Sequence, residues 1–148
     1  MKITSIKTIP IEHMRIIQLE TDEGITGLGE AARDCHSDAV SLIVEKMGIS
    51  DAMSIEQFWQ QNYCQTFWRG GPIWTSAVSA VEQALWDITG KKLGVPVSQL
   101  VGGKVRDKVK MYTHFGGKTP EECAQIALSR VERGYKAIKT DPFGNAYQ

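Results

Sequence analysis

The tail of this chain constrains it most. "KVKMYTHFGG", from Lys108, reads as a strand. "KTPEECAQIALSRVERG" then reads as a helix, with Thr119 as N-cap, Glu122 three residues on and Gly134 as its stop. "YKAIKTD", Tyr135 to Asp141, is a second strand. Such a β-α-β unit packs right-handed with parallel strands, and a parallel sheet needs both faces covered. Two parallel strands with one crossover helix cannot cover themselves. Residues 106–148 are therefore expected to open a larger α/β domain that these 148 residues do not complete. The edge of the last strand and the outer face of the helix should need cover from elsewhere.

The preceding residues follow another pattern. "KITSIKTIPI" alternates Ile3, Ile6 and Ile9 loosely with polar residues and is expected to end as a strand at Pro10. "MRIIQLETDEGITGLGEA" is two β-rich runs around Asp22-Glu23-Gly24, where glycine supplies the positive φ of a tight turn. Helices are expected from Asp34 to Lys46, on Ala39, Val40, Ile43 and Met47, and from Ser54, with Gln57 completing a capping box and Phe58 and Trp59 turned inward. The longest helix takes Pro72 in its first turn and runs to about Lys92 on a stripe of Trp74, Val78, Val81, Leu85 and Ile88. Residues 1–105 thus read as an α+β domain of three antiparallel strands plus helices. A boundary falls after the glycine-closed turn "GVPVSQLVGG".

Charge and cysteine usage narrow the function classes. Lys plus Arg and Asp plus Glu both number 17, so no net field draws in nucleic acid or an anionic membrane. Cys35, Cys64 and Cys123 are odd in number and lack a CxxC spacing, which argues against a disulfide framework or a structural zinc site and fits a reducing cytoplasm. The N-terminus has no signal-peptide core, and no run of apolar residues reaches membrane-spanning length.

Four motifs carry possible chemistry. "GLGEAA", Gly27 to Ala32, matches a dinucleotide-binding fingerprint, but it lies in a returning antiparallel strand rather than after a first parallel one. Its glycines are expected to serve close packing. "FWRGGP" sets Arg69 and two glycines before a helix N-terminus, where an anionic substrate group can bind; Arg69 pairing with a surface acid is the plain alternative. His13, His36 and His114 are scattered without metal-ligand spacing, and His36 beside Asp34 and Asp38 reads as a solvated charge cluster, whereas His114 ends the first parallel strand, the functional end of α/β sheets. Lys139 and Asp141 share one parity of the last strand and point the same way. Beside a carboxylate, Lys139 can stay charged and hold an anionic substrate; desolvated, it can act as a base. A strand-end salt bridge without chemistry remains the alternative.

Three segments, "IQLETDEGITGLGEA", "FWRGGPIWTSAVSAVEQALWDITGKKLGVPVSQLVGGKVRDKVKMYTHFGG" and "GYKAIKTDPFG", resemble the enolase superfamily. The resemblance is to its mandelate racemase/muconate lactonizing branch, and most closely to acid-sugar dehydratases of the galactonate dehydratase type. It implies a capping domain over residues 1–105 and the first β-α-β unit of a modified (β/α) TIM-type barrel over 106–148. It further implies a lyase that removes the proton α to a carboxylate and expels the β-hydroxyl of an acid sugar. A homo-oligomer is implied as well, and the cofactor would be Mg2+, with ligands on barrel strands absent from this chain. Lys139 and Asp141 would be catalytic, Arg69 and His114 substrate-binding, and the chain alone inactive. Many relatives end the last strand in a K-x-K pair; here it is Lys139-Thr140-Asp141, which speaks against two-base racemase chemistry. "PIEHM" is also shorter than the substrate-covering loop of many relatives, leaving room for large acid sugars. A racemase, epimerase or cycloisomerase of the same superfamily is the alternative, as is a non-catalytic capping-type module completed by a partner chain.

Overall fold

Residues 1–32, 37–64, 67 and 70–141 are described in the computed structural model. The chain divides into two units, Met1–Lys104 and Val105–Gln148.

In the first unit β1 (Ile3–Ile11), β2 (Met14–Thr21) and β3 (Thr26–Ala31) form an antiparallel sheet in the order β1-β2-β3. The first strand runs on through Pro10 to Ile11, one residue beyond the expected stop. Proline is tolerated there because β1 is an edge strand and one of its sides has no ladder to feed. Glu12 and His13 alone connect Ile11 to its partner Met14, and Glu12 takes a left-handed φ of 48° to do so. At the second turn Gly24 adopts φ 77° as expected, while Thr21 and Ile25 close the loop with hydrogen bonds of 2.9 and 3.0 Å through the threonine hydroxyl.

Strand alternation sends Ile17 and Leu19 of β2 and Ala31 of β3 inward, all buried. They meet α3 (Pro72–Leu93), whose Ala77, Val78, Ala80, Val81, Ala84, Leu85 and Ile88 are buried too. Gly27 and Gly29 let the helix come this close. A Cβ on Gly27 would lie 2.2 Å from the Ala84 carbonyl oxygen, and one on Gly29 would lie 1.8 Å from that of Ala80. The same helix covers the free edge of β3. Leu28 N–H donates to Asp87 at 2.9 Å, Glu30 N–H to the Gln83 amide oxygen at 3.1 Å and Ala32 N–H to Ser76 at 2.7 Å, while Lys91 donates to the Thr26 carbonyl at 2.7 Å. Side chains four residues apart rise about 6 Å along a helix, close to the spacing of alternate residues in a strand. Gln83, Asp87 and Lys91 therefore stand in for a fourth strand.

The remaining helices close the core. α1 (Ser37–Lys46) buries Val40 and Val44, and α2 (Ile55–Trp59) buries Phe58, with Trp59 half-buried against the same cluster. The part of the expected first helix before Ser37 lies outside the described residues. The capping box at Ser54 does not form. Ser54 makes no side-chain cap; its hydroxyl donates to Asp51 at 2.7 Å. Asp51 also accepts from Met53 N–H at 3.1 Å and from the Met1 ammonium at 3.3 Å. These bonds, led by the Ser54 hydroxyl, hold the Asp51 carboxyl below the ordinary aspartate range. After Trp59 the chain widens into a π turn over Gln60–Cys64, shortening the α-helix expected there. Asn62 is buried in that turn, and the Trp74 indole N–H donates to its carbonyl at 2.6 Å. α4 (Val97–Leu100) follows the left-handed Gly94, which ends α3.

In the second unit β4 (Thr113–His114) and β5 (Ile138–Lys139) pair in parallel, joined by α5 (Pro120–Glu132). The Thr119 hydroxyl accepts from Glu122 N–H at 3.2 Å, and Glu122 in turn accepts from Lys118 N–H at 2.8 Å. The expected cap is present. Both strands are shorter than the sequence suggests, only two paired residues each. Alternation marks longer segments as able to extend, but ladder bonds form only where a neighbour lies alongside. Val105, Val109, Met111, Leu128, Val131 and Ile138 remain exposed.

Candidate active site

The parallel register sets His114 directly beside Lys139 and Thr113 beside Ile138. Directly paired residues project to the same face, so the His114 and Lys139 side chains leave the same face of the ladder from backbones about 4.8 Å apart. Two ladder bonds fix this arrangement: Thr113 N–H donates to the Ala137 carbonyl at 3.2 Å, and Phe115 N–H to that of Lys139 at 3.0 Å. Both side chains are exposed, at the C-terminal ends of their strands. Asp141 follows two residues beyond Lys139, past the end of β5, where strand alternation no longer fixes its side. The structure thus brings His114 and Lys139 together, with Asp141 next along the chain. Such a pairing presents a cation and a neutral or cationic ring to one anionic ligand, whose carboxylate can accept from both.

Arg69 lies outside the described residues, as does His36. Nearby, Gly71 at φ 87° leads into α3 and contributes no side-chain cap, so the first-turn amides of that helix carry no acceptor from it. "GLGEAA" is no cofactor turn: its glycines lie within β3, under the helix backbone.

One neighbour escaped the sequence reading. The Tyr112 ring stands 5.5 Å from the His114 ring, tilted by 43°. Its parity with His114 was the available signal. Among the described residues no three His, Cys, Asp or Glu side chains gather as a metal site would require. No described helix is long and apolar enough to cross a membrane.

Comparison with known proteins adds the lineage. The profile for the N-terminal domain of mandelate racemase / muconate lactonizing enzyme matches residues 2–102. The chain belongs to the mandelate racemase/muconate lactonizing enzyme family. Within this family, it is 43% identical over 145 residues to a D-galactonate dehydratase of Pectobacterium atrosepticum, covering 94% of this chain and 38% of that protein. It is 40% identical over 147 residues to a D-mannonate dehydratase of Rhizorhabdus wittichii, covering 94% of this chain and 37% of that one. Among solved structures, an enolase from Pantoea ananatis with bound D-gluconate and magnesium superposes with a TM-score of 0.86 at 35% identity, over 95% of this chain and 36% of that one. The chain therefore spans well under half the length of these relatives. The three-stranded sheet with its helices is the N-terminal capping fold of the family.

Proposed function

We propose that residues 1–105 cap, and residues 106–148 open, the catalytic barrel of an acid-sugar dehydratase acting on aldonates. The observation that carries the reading is the register that sets His114 against Lys139 at the C-terminal ends of two parallel strands, the functional end of such sheets. In this reading Lys139 holds the substrate carboxylate, with His114 and Arg69 as further substrate contacts. Asp141, two residues beyond Lys139, takes part in proton transfer during removal of the α-proton and loss of the β-hydroxyl. The names of the two dehydratases and the gluconate in the Pantoea protein support an acid-sugar substrate. An aspartate at position 141 rather than a second lysine favours dehydration over two-base racemization.

Magnesium in the Pantoea protein supports a metal requirement, but the described residues of this chain do not assemble a site for it. The chemistry derived for this chain therefore stops at binding and orienting the substrate. On its own the chain should be inactive, and the complete enzyme should work in the cytoplasm as a homo-oligomer.

The test joins residues 1–148 to the remainder of the Pectobacterium D-galactonate dehydratase in place of the aligned segment. The fusion is incubated with D-galactonate, D-mannonate or D-gluconate and Mg2+, and the 2-keto-3-deoxy product is followed as its semicarbazone. Product from the fusion, none from the 148 residues alone, and its loss on Lys139→Ala are expected. Turnover by the chain alone, or a folded fusion indifferent to Lys139→Ala, would refute the reading.

A further inference from the structure

We propose that Tyr112 is a positioning residue of this site: its ring seats the His114 imidazole and holds it on the face shared with Lys139 to meet an acid sugar. The proposal rests on the reading of His114 and Lys139 as substrate contacts. The ladder bonds on either side of His114 fix its backbone but leave the ring's own torsions free. Among the described residues no hydrogen bond reaches either imidazole nitrogen, so the aromatic contact is what orients the ring. The centroid distance of 5.5 Å falls in the range of interacting aromatic pairs, with the rings tilted by 43°, between stacked and edge-to-face.

Direction matters as much as distance. Tyr112 precedes His114 by two residues, on the N-terminal side of the paired stretch, so the contact comes from His114's own segment rather than from across the ladder. Lys139 instead flanks His114 laterally, as its direct register partner across the ladder. A ring already held against a neighbour also lowers the entropy lost when His114 engages a ligand.

Proton NMR of the 148-residue chain tests this, with D-gluconate as the probe. In the native chain the His114 ring protons are expected to show a ring-current displacement and a cross-peak to Tyr112, and D-gluconate should shift both the His114 and Lys139 side-chain signals. Tyr112→Leu should abolish the displacement and weaken the His114 response by about two- to tenfold, the range of an aromatic pair. The Lys139 response and the Thr113 and Phe115 amide signals should persist. Tyr112→Phe, which keeps the ring and loses the hydroxyl, should restore the native behaviour. Unchanged His114 signals in Tyr112→Leu, a phenylalanine variant that behaves like the leucine one, or loss of the Phe115 amide signal with the ring contact would each overturn the positioning role. If the two rings touch but D-gluconate moves neither His114 nor Lys139, the substrate reading fails instead. The ring displacement alone then decides whether Tyr112 orients His114.

Discussion

A single missing Cβ decides how near the long helix can come to the sheet. Gly29→Ala would drive a methyl group into the Ala80 carbonyl, which cannot swing away because it belongs to the backbone of α3. The helix must lift, and overpacking of this kind costs about 1–3 kcal/mol. Gly24→Ala makes a useful contrast, because that Cβ meets nothing within 4 Å and pays only for φ 77°. Urea denaturation should rank Gly29→Ala as the more damaging, with a matching fall at Gly27→Ala. The sequence alone pointed to this packing role, because a hairpin turn three residues earlier excluded a dinucleotide loop. It could not reveal Asp51, whose partners Met1, Met53 and Ser54 are assembled by the fold. The Asp51 carboxyl sits below its ordinary value of about 3.9. A depressed carboxylate adds stability above its unfolded pKa and loses it as the pH falls through the folded one. The stability gap between the native chain and Asp51→Asn should therefore be full at pH 6 and shrink as the solution is taken below about pH 4. Urea midpoints across that range measure it; a gap independent of pH would contradict the assignment.

At the level of elements, α3 was the most legible part of the chain, because its apolar residues recur without interruption from Trp74 to Ile88 and Gly94 stops it. Its polar side was not legible. Nothing in the pattern singles out Gln83, Asp87 and Lys91, yet they bond the free edge of β3. The capping box misled at Ser54, whose backbone (φ −93°, ψ 57°) lacks the extended form usual for a cap, so its hydroxyl oxygen accepts from no first-turn amide. The same motif held at Thr119, where the backbone is extended (φ −126°, ψ 159°) and the hydroxyl accepts from Glu122 N–H. Two substitutions separate these cases. Thr119→Ala should cost the second unit about 1 kcal/mol, as lost N-caps do, read from the amide exchange of α5. Asp87→Ala removes both the acceptor of Leu28 N–H and the 2.7 Å ion pair with Lys91. Since Asp87 is partly exposed, about 1 kcal/mol is expected, accompanied by faster exchange at Leu28 alone among the strand amides. In the candidate site, Lys139 and His114 could be placed at strand ends from parity, but their side-by-side pairing needed the register, which no local pattern encodes.

Across the whole molecule, the two units differ in how they are held. The first buries a continuous cluster from Ile17 to Ile88 between sheet and helices. The second buries no hydrophobic side chain among its described residues, and its Val109, Met111, Leu128 and Val131 stand open to solvent. An amide opens with a free energy set by the apolar surface that opening bares to water, so contrasting protection follows from contrasting burial. In hydrogen exchange of the 148 residues, Ile17, Leu19 and the middle of α3 should be the slowest amides. Those from Val109 onward should exchange orders of magnitude faster, including the Phe115 amide that ties the candidate site together. In the fusion with the remainder of the Pectobacterium dehydratase, the same amides should slow by a comparable factor, as strands and helices cover the exposed residues. That gain must come without a change at Ile17 or Leu19, which are already covered within their own unit. Equal protection of both units in the isolated chain would mean that residues 105–148 need no further strands, and the barrel reading would lose its physical basis.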